Sequence, residues 1–287
     1  MLEMIVKPKK AERDPWEMFF VGLVYSCISL ALVGFIFAKD SVLSQYGGIL
    51  VVVFTVMCCL PFVYYLIKLE EGKDMEINEE GKLVKEHWKA LKALMWLFMG
   101  LVVGFSFWYI TFPEQNHINF NAQIGTFCPI NSPHNYQSCL GENGINAITG
   151  SATNIQNVLG IFSNNVGVLI VTLIFSLVFG AGAIFILVWN AWVIGAAVGM
   201  FAKNQLSSLP FSLLRYMFHG IPEIAAYFIA ALAGGIISVA VIRRDMEKER
   251  KWSILQDALV LTIIAIIILA LSAVLEVYIT PRVIGLF

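Results

Sequence analysis

The sequence predicts an all-α membrane protein, a bundle of helices crossing a bilayer several times. Composition carries this first: 59% of the 287 residues are hydrophobic, only 14% are charged, and the mean hydropathy is +0.78. A soluble domain carries about a quarter charged residues. Spacing carries it second, because the apolar residues gather in runs close to the roughly 20 residues that one helical crossing needs. The net charge of −1 excludes nucleic acid as an expected partner, since phosphate binding needs a basic patch.

The chain opens on a basic arm with Lys7, Lys9, Lys10 and Arg13. The apolar run behind it, residues 16–38, is longer than a signal peptide and has no small-x-small cleavage site, so it reads as a retained first span. Residues 47–69 form the second span and 91–112 the third. Residues 1–90 are therefore expected to make a helical hairpin with a cytoplasmic arm and loop, and 91–287 a membrane core. The connection at 70–89 mixes both charge signs and carries Gly72 and Gly81, the composition of a solvated linker. Residues 113–165 form a long loop in which Cys128 and Cys139 would pair in an oxidising compartment, whereas Cys27, Cys58 and Cys59 fall within spans. At the end of that loop, residues 154–162 read as a short amphipathic helix suited to the interface.

The remaining spans are read at 166–189, 192–206, 221–242 and 258–279, which makes seven. The fifth covers only about 22 Å of a core about 30 Å thick, so it is either a short crossing or a re-entrant segment, giving six spans plus that fifth. Lys and Arg concentrate in the arm, around 70–89 and in 243–251, while 111–165 contains neither, which places the first three inside and the last outside. Parity then makes the fifth segment a crossing, with the N-terminus in and the C-terminus out. No inverted repeat of the transporter kind is evident.

Ionisable residues within a hydrocarbon span are costly and mark sites with a task. His219 and Glu223, four apart, share one helical face with Ala226, Ala230, Ala233 and Gly234, a strip that admits a neighbouring helix closely. Glu276 lies about 28 Å along the last span from Asp257, and Glu223 about 30 Å from Arg243, so the two glutamates sit at similar depth near the outer boundary. Asn165 enters from the same side. Three roles compete for His219, Glu223, Glu276 and Asn165: a hydrogen-bonded cluster fixing how helices meet, a binding or translocation site for a cation, proton or small solute, and intramembrane catalysis. The last is disfavoured because no H-E-x-x-H, G-x-S-x-G or other nucleophile-and-base motif accompanies the pair. Gly195 and Gly199 form a G-x-x-x-G that would face Gly180 and Gly182 across a hairpin turning at Asn190, whose side chain would satisfy free backbone groups there. A homodimer face would look the same.

Five pieces in order carry a family resemblance: I-F-S-N-N with Asn165, F-G-A-G-A with Gly180 and Gly182, W-N-A-W-V-I-G with Asn190 and Gly195, F-H-G-I-P-E with His219, Gly220 and Glu223, and V-L-E-V-Y-I-T-P with Glu276 and Pro281. From Ile161 onward the chain resembles the stage II sporulation protein M family of integral membrane proteins, which extends to archaea. Ala191 stands where the family commonly has a glycine, and Pro222 falls inside the His-to-Glu spacing, so turn packing and helix start depart from the pattern. The resemblance implies a non-enzymatic component; the sporulation protein itself is similar to a scaffold that holds cell-wall hydrolases at the engulfing septum. The expected function is thus a scaffold or accessory subunit of the cell membrane. Its partners would be the lipid bilayer and other membrane or envelope proteins, and no cofactor, metal or catalytic residue is expected. The alternative is a transporter or channel using the outer polar residues.

Overall fold

The computed structural model describes residues 6–37, 39–76, 80–122, 124, 155–179, 181–202, 205–242, 248–280 and 282. Nine helices and no strand occur among them. They are α1 (Pro8–Arg13), α2 (Glu17–Ala31, continued by a π-helical stretch Leu32–Phe37), α3 (Gly47–Glu76), α4 (Glu80–Thr111) and α5 (Asn116–Asn119), then α6 (Ile155–Phe179), α7 (Ile184–Phe201), α8 (Leu209–Ile242) and α9 (Lys248–Val274, continued by a π-helical stretch Leu275–Ile279). Seven of these, α2, α3, α4, α6, α7, α8 and α9, are long and apolar enough to cross a membrane. They run alternately up and down, so α1, the α3–α4 junction and the α6–α7 turn share one end, the arm end. The segment after α4, the start of α6 and the α7–α8 connection share the other, the loop end.

Several boundaries differ from the sequence expectation. The fourth and fifth spans do not turn at Asn190. Its amide Nδ2 donates to the carbonyl of Ile186 at 2.7 Å, so the side chain satisfies itself one turn back and α7 passes through it. The chain turns instead between Phe179 and Ile184, where a Cβ on Gly182 would stand 2.6 Å from that of Phe179. Small residues, not a polar one, make the break. With the turn moved, α7 has 18 residues, about 27 Å at 1.5 Å per residue, close to a full crossing. Residues 155–162 are not a separate interfacial helix but the first turns of α6. The sixth helix starts at Leu209, with Pro210 in its first turn where a missing N–H is harmless, so Pro222 lies in its interior. The linker at 70–89 is largely helical, α3 and α4 extending through most of it, and residue 90 falls inside α4. Cys128, Cys139, Gly180 and Pro281 lie outside the described residues.

α4 is the hub. On one side α2 crosses it so closely that a Cβ on Gly22 would meet the Leu97 carbonyl at 2.2 Å, one on Gly100 the Phe19 carbonyl at 2.0 Å, and one on Gly104 the Ser26 hydroxyl at 1.9 Å. Backbone rests on backbone there, the approach that a small-x-x-x-small pattern permits. On its other side lies α7: Gly195 sits under Phe105, and Gly199 under the ring of Tyr109. Gly195 and Gly199 therefore serve α4 and do not face Gly182. The second half of the core is α8 between α6 and α9. Ala226, Ala230, Ala233 and Gly234 are buried, and a Cβ on Gly234 would lie 2.7 Å from the Leu173 carbonyl of α6. The Ser176 hydroxyl closes that crossing by donating to the Ala231 carbonyl. From α9 the buried face is Ala258, Leu261, Ala265, Leu269, Ser272 and Ala273, while Leu259, Ile263, Ile267 and Leu271 point outward. One stripe packs and the rest meets lipid.

Candidate functional site

Asn165 of α6, His219 and Glu223 of α8, and Ser272, Glu276 and Thr280 from α9 and its end converge at the loop end. Glu223 is the centre. Its Oε1 accepts from Asn165 Nδ2 at 2.6 Å, a short bond across two helices, and more weakly from the Ser272 hydroxyl at 3.4 Å. The same hydroxyl makes its better bond, 2.8 Å, to the carbonyl of His219. His219 Nδ1 and Thr280 Oγ1 lie 3.4 Å apart. Three helices are thus tied by side chains that each reach across a junction.

Glu276 joins the group by charge and not by contact. Among the described residues it makes no hydrogen bond to the others, yet it is near enough for its charge to act on Glu223 and on Tyr227, one turn further along α8. The π-helical stretch Leu275–Ile279 carries it, half-buried. Two carboxyls, an imidazole and a phenol therefore share one polar patch at a membrane boundary. Among the described residues no three His, Cys, Asp or Glu side chains are placed to hold a metal ion. The patch can lock helices, and it can hold a proton.

A profile described as stage II sporulation protein M matches residues 92–281, which takes in most of α4 and all of α6 to α9 with the whole polar group. The chain belongs to the stage II sporulation protein M family. The match begins well before Ile161, where the quoted motifs start, and leaves α1, α2 and α3 outside it. An uncharacterised protein of Methanocaldococcus jannaschii is 34% identical over 136 residues, covering 45% of this chain and 75% of that relative. No solved structure matches.

Within the stage II sporulation protein M region, Gly220 is not a packing glycine: a Cβ there would meet nothing within 4 Å. The reading also passed over contacts with a visible signal. Gly100 and Gly104 form a G-x-x-x-G inside the third span and cradle α2. Thr280 follows Glu276 by one turn. A third set, Glu12, Glu70, Lys73 and His87, lies at the arm end and has no sequence signature, because its members come from α1, α3 and α4.

Proposed function

We propose that this protein is a non-enzymatic scaffold or accessory subunit of the cell membrane, with its N-terminus inside and C-terminus outside, that binds other membrane proteins through α6. The observation carrying this is the open face of α6. Gly160, Ser163, Asn164 and Gly167 are exposed on it, and a Cβ on either glycine would meet nothing within 4 Å. Asn164 stands 15 residues from Phe179, about 22 Å along the helix and so inside a hydrocarbon core about 30 Å thick. Its amide has no partner among the described residues. Lipid tails offer an amide nothing, whereas a second transmembrane helix offers hydrogen bonds, and small residues on either side let it come close. The polar group around Glu223 supports the same reading from within, since its hydrogen bonds hold α6 at a fixed angle to α8 and α9.

A photo-crosslinking residue at position 164 should give a protein adduct in native membranes. Gly167→Ile should abolish the adduct without unfolding the chain, because a side chain there meets no neighbour of its own. Adducts of equal yield from lipid-facing Ile263, or none at 164, would remove the proposal. The Glu223–Glu276 proximity favours a second reading, proton or cation translocation. Against it, the buried faces of α8 from Phe228 to Ile236 and of α9 from Ala258 to Leu269 are apolar below the patch. Flux through reconstituted protein that Glu223→Gln eliminates would decide for translocation.

A further inference from the structure

At the arm end, three helices bury a second set of ionisable side chains. α1 contributes Glu12, α3 contributes Glu70 and Lys73, and α4 contributes Glu86 and His87. Lys73 Nζ donates to Glu12 Oε1 and to Glu70 Oε1, both at 2.7 Å, and lies 3.6 Å from Glu86 Oε2. His87 Nδ1 is 2.7 Å from Glu70 Oε2. Glu70 is wholly buried and His87 nearly so, while Glu12 and Lys73 are partly buried. Glu12 and Glu70 thus converge on one ammonium, two carboxyls held side by side at Lys73. Two ionised carboxylates so placed repel one another, and a proton on one of them relieves that repulsion.

The arm has few other anchors. A helix of six residues has no stability of its own, and its buried apolar contacts are Val6 and Ala11. Two of its other charges are paired locally, Lys10 with Glu17 at 2.7 Å and Arg13 with adjacent Asp14 at 2.9 Å, and Lys7 and Lys9 are exposed. On α4, Glu86 is held by Lys89 at 2.5 Å. We propose that the Glu12–Glu70 carboxyl pair is a proton-binding site, and that its proton latches the N-terminal arm onto the bundle.

Burial, and then the neighbouring Glu70 carboxyl, push Glu12 up from the ordinary carboxyl value of 4.5 to about 7, against the pull of Lys73. Burial works against the Lys73 ammonium, but its bonds to Glu12 and Glu70 outweigh that and hold it above the usual lysine value, so it stays charged across this range. A released arm would return Glu12 to ordinary carboxyl behaviour. The docked arm therefore binds more protons than the free one, and docking is strongest below pH 4.5 and is lost as pH rises through about 7. One proton limits the effect to about tenfold in the docking constant per pH unit. α1 lies outside the family match, as do Glu70, Lys73, Glu86 and His87. Opening the latch would free Glu12 and part Lys10 from Glu17 of α2.

Hydrogen exchange of the full chain in nanodiscs, corrected for the intrinsic pH dependence of amide exchange, tests this at the amides of Lys10, Ala11 and Asp14, which close the turns of α1. Their protection should fall at least tenfold between pH 6 and 8.5, while amides in α4 from Leu97 to Phe105 keep theirs and report a folded bundle. In Glu12→Gln, whose amide imitates the protonated acid, protection should stay high and flat over the same range. A wild type with flat protection, a Glu12→Gln variant that still loses protection with pH, or one unprotected throughout would each overturn the proposal.

Discussion

Asn165→Ala removes one bond, and its consequence follows from what is left. Glu223 Oε1 loses its donor at 2.6 Å and keeps the Ser272 hydroxyl at 3.4 Å. That hydroxyl has one proton, engaged at 2.8 Å with the His219 carbonyl, so it cannot replace the amide. Hydrogen bonds to charged groups contribute roughly 1.5–3 kcal/mol in water-soluble proteins. Interhelical bonds in bilayers average about 0.6 and reach about 1.7 kcal/mol, because the unfolded chain also finds partners there. The short bond and the nearby Glu276 carboxyl place this one at the upper end of the membrane scale, about 1.5 kcal/mol. Equilibrium unfolding of the full chain in mixed micelles, on Asn165→Ala, Glu223→Gln and the double variant, measures it. Glu223→Gln keeps an acceptor and should cost less than Asn165→Ala, and the two should be coupled. An Asn165→Ala chain within about 0.3 kcal/mol of wild type, or strictly additive single variants, would refute the arrangement.

Gly100→Ala drives a methyl into the Phe19 carbonyl and should destabilise by about 1–3 kcal/mol, whereas Gly220→Ala, in open space within a helix, should be neutral or gain up to about 1 kcal/mol; thermal unfolding separates them. Lys73→Met leaves buried Glu70 and Glu12 facing one another without a cation and should cost about 3 kcal/mol, part of it recovered when Glu12→Gln is added. Asn190→Ala loses only a bond within its own helix and should shift stability by no more than about 0.5 kcal/mol.

Long apolar runs and the faces along α8 and α9 were legible in the sequence because each is written locally. Ala226, Ala230 and Ala233 repeat at helical spacing along α8, and Ala265, Ser272 and Ala273 mark the buried side of α9. Glu223 and Glu276 could be placed at similar depth by counting residues from charged ends, and the spacing of four tied His219 to Glu223. Counting failed where helix ends were inferred from polarity. Asn190 reads as a turn, yet an asparagine inside an apolar helix can bond its own backbone, and the bend lies at the small residues Ala181, Gly182 and Ala183. It failed again at the arm end, where a mixed-charge stretch looked solvated. Whether Glu70 and Lys73 meet water or one another depends on a third helix some sixty residues earlier, and neither composition nor spacing records that.

The seat of α2 has a meaning for how such proteins are assembled. Gly100 and Gly104, which receive it, lie inside the family region, and Gly22, which fits into them, lies outside. α2 thus lies outside the matched region and seats in a groove whose wall, Gly100 and Gly104, lies inside it. A groove shaped to the backbone of one helix will accept another of the same shape, so the seat is set by the glycines of α4 more than by the side chains of α2.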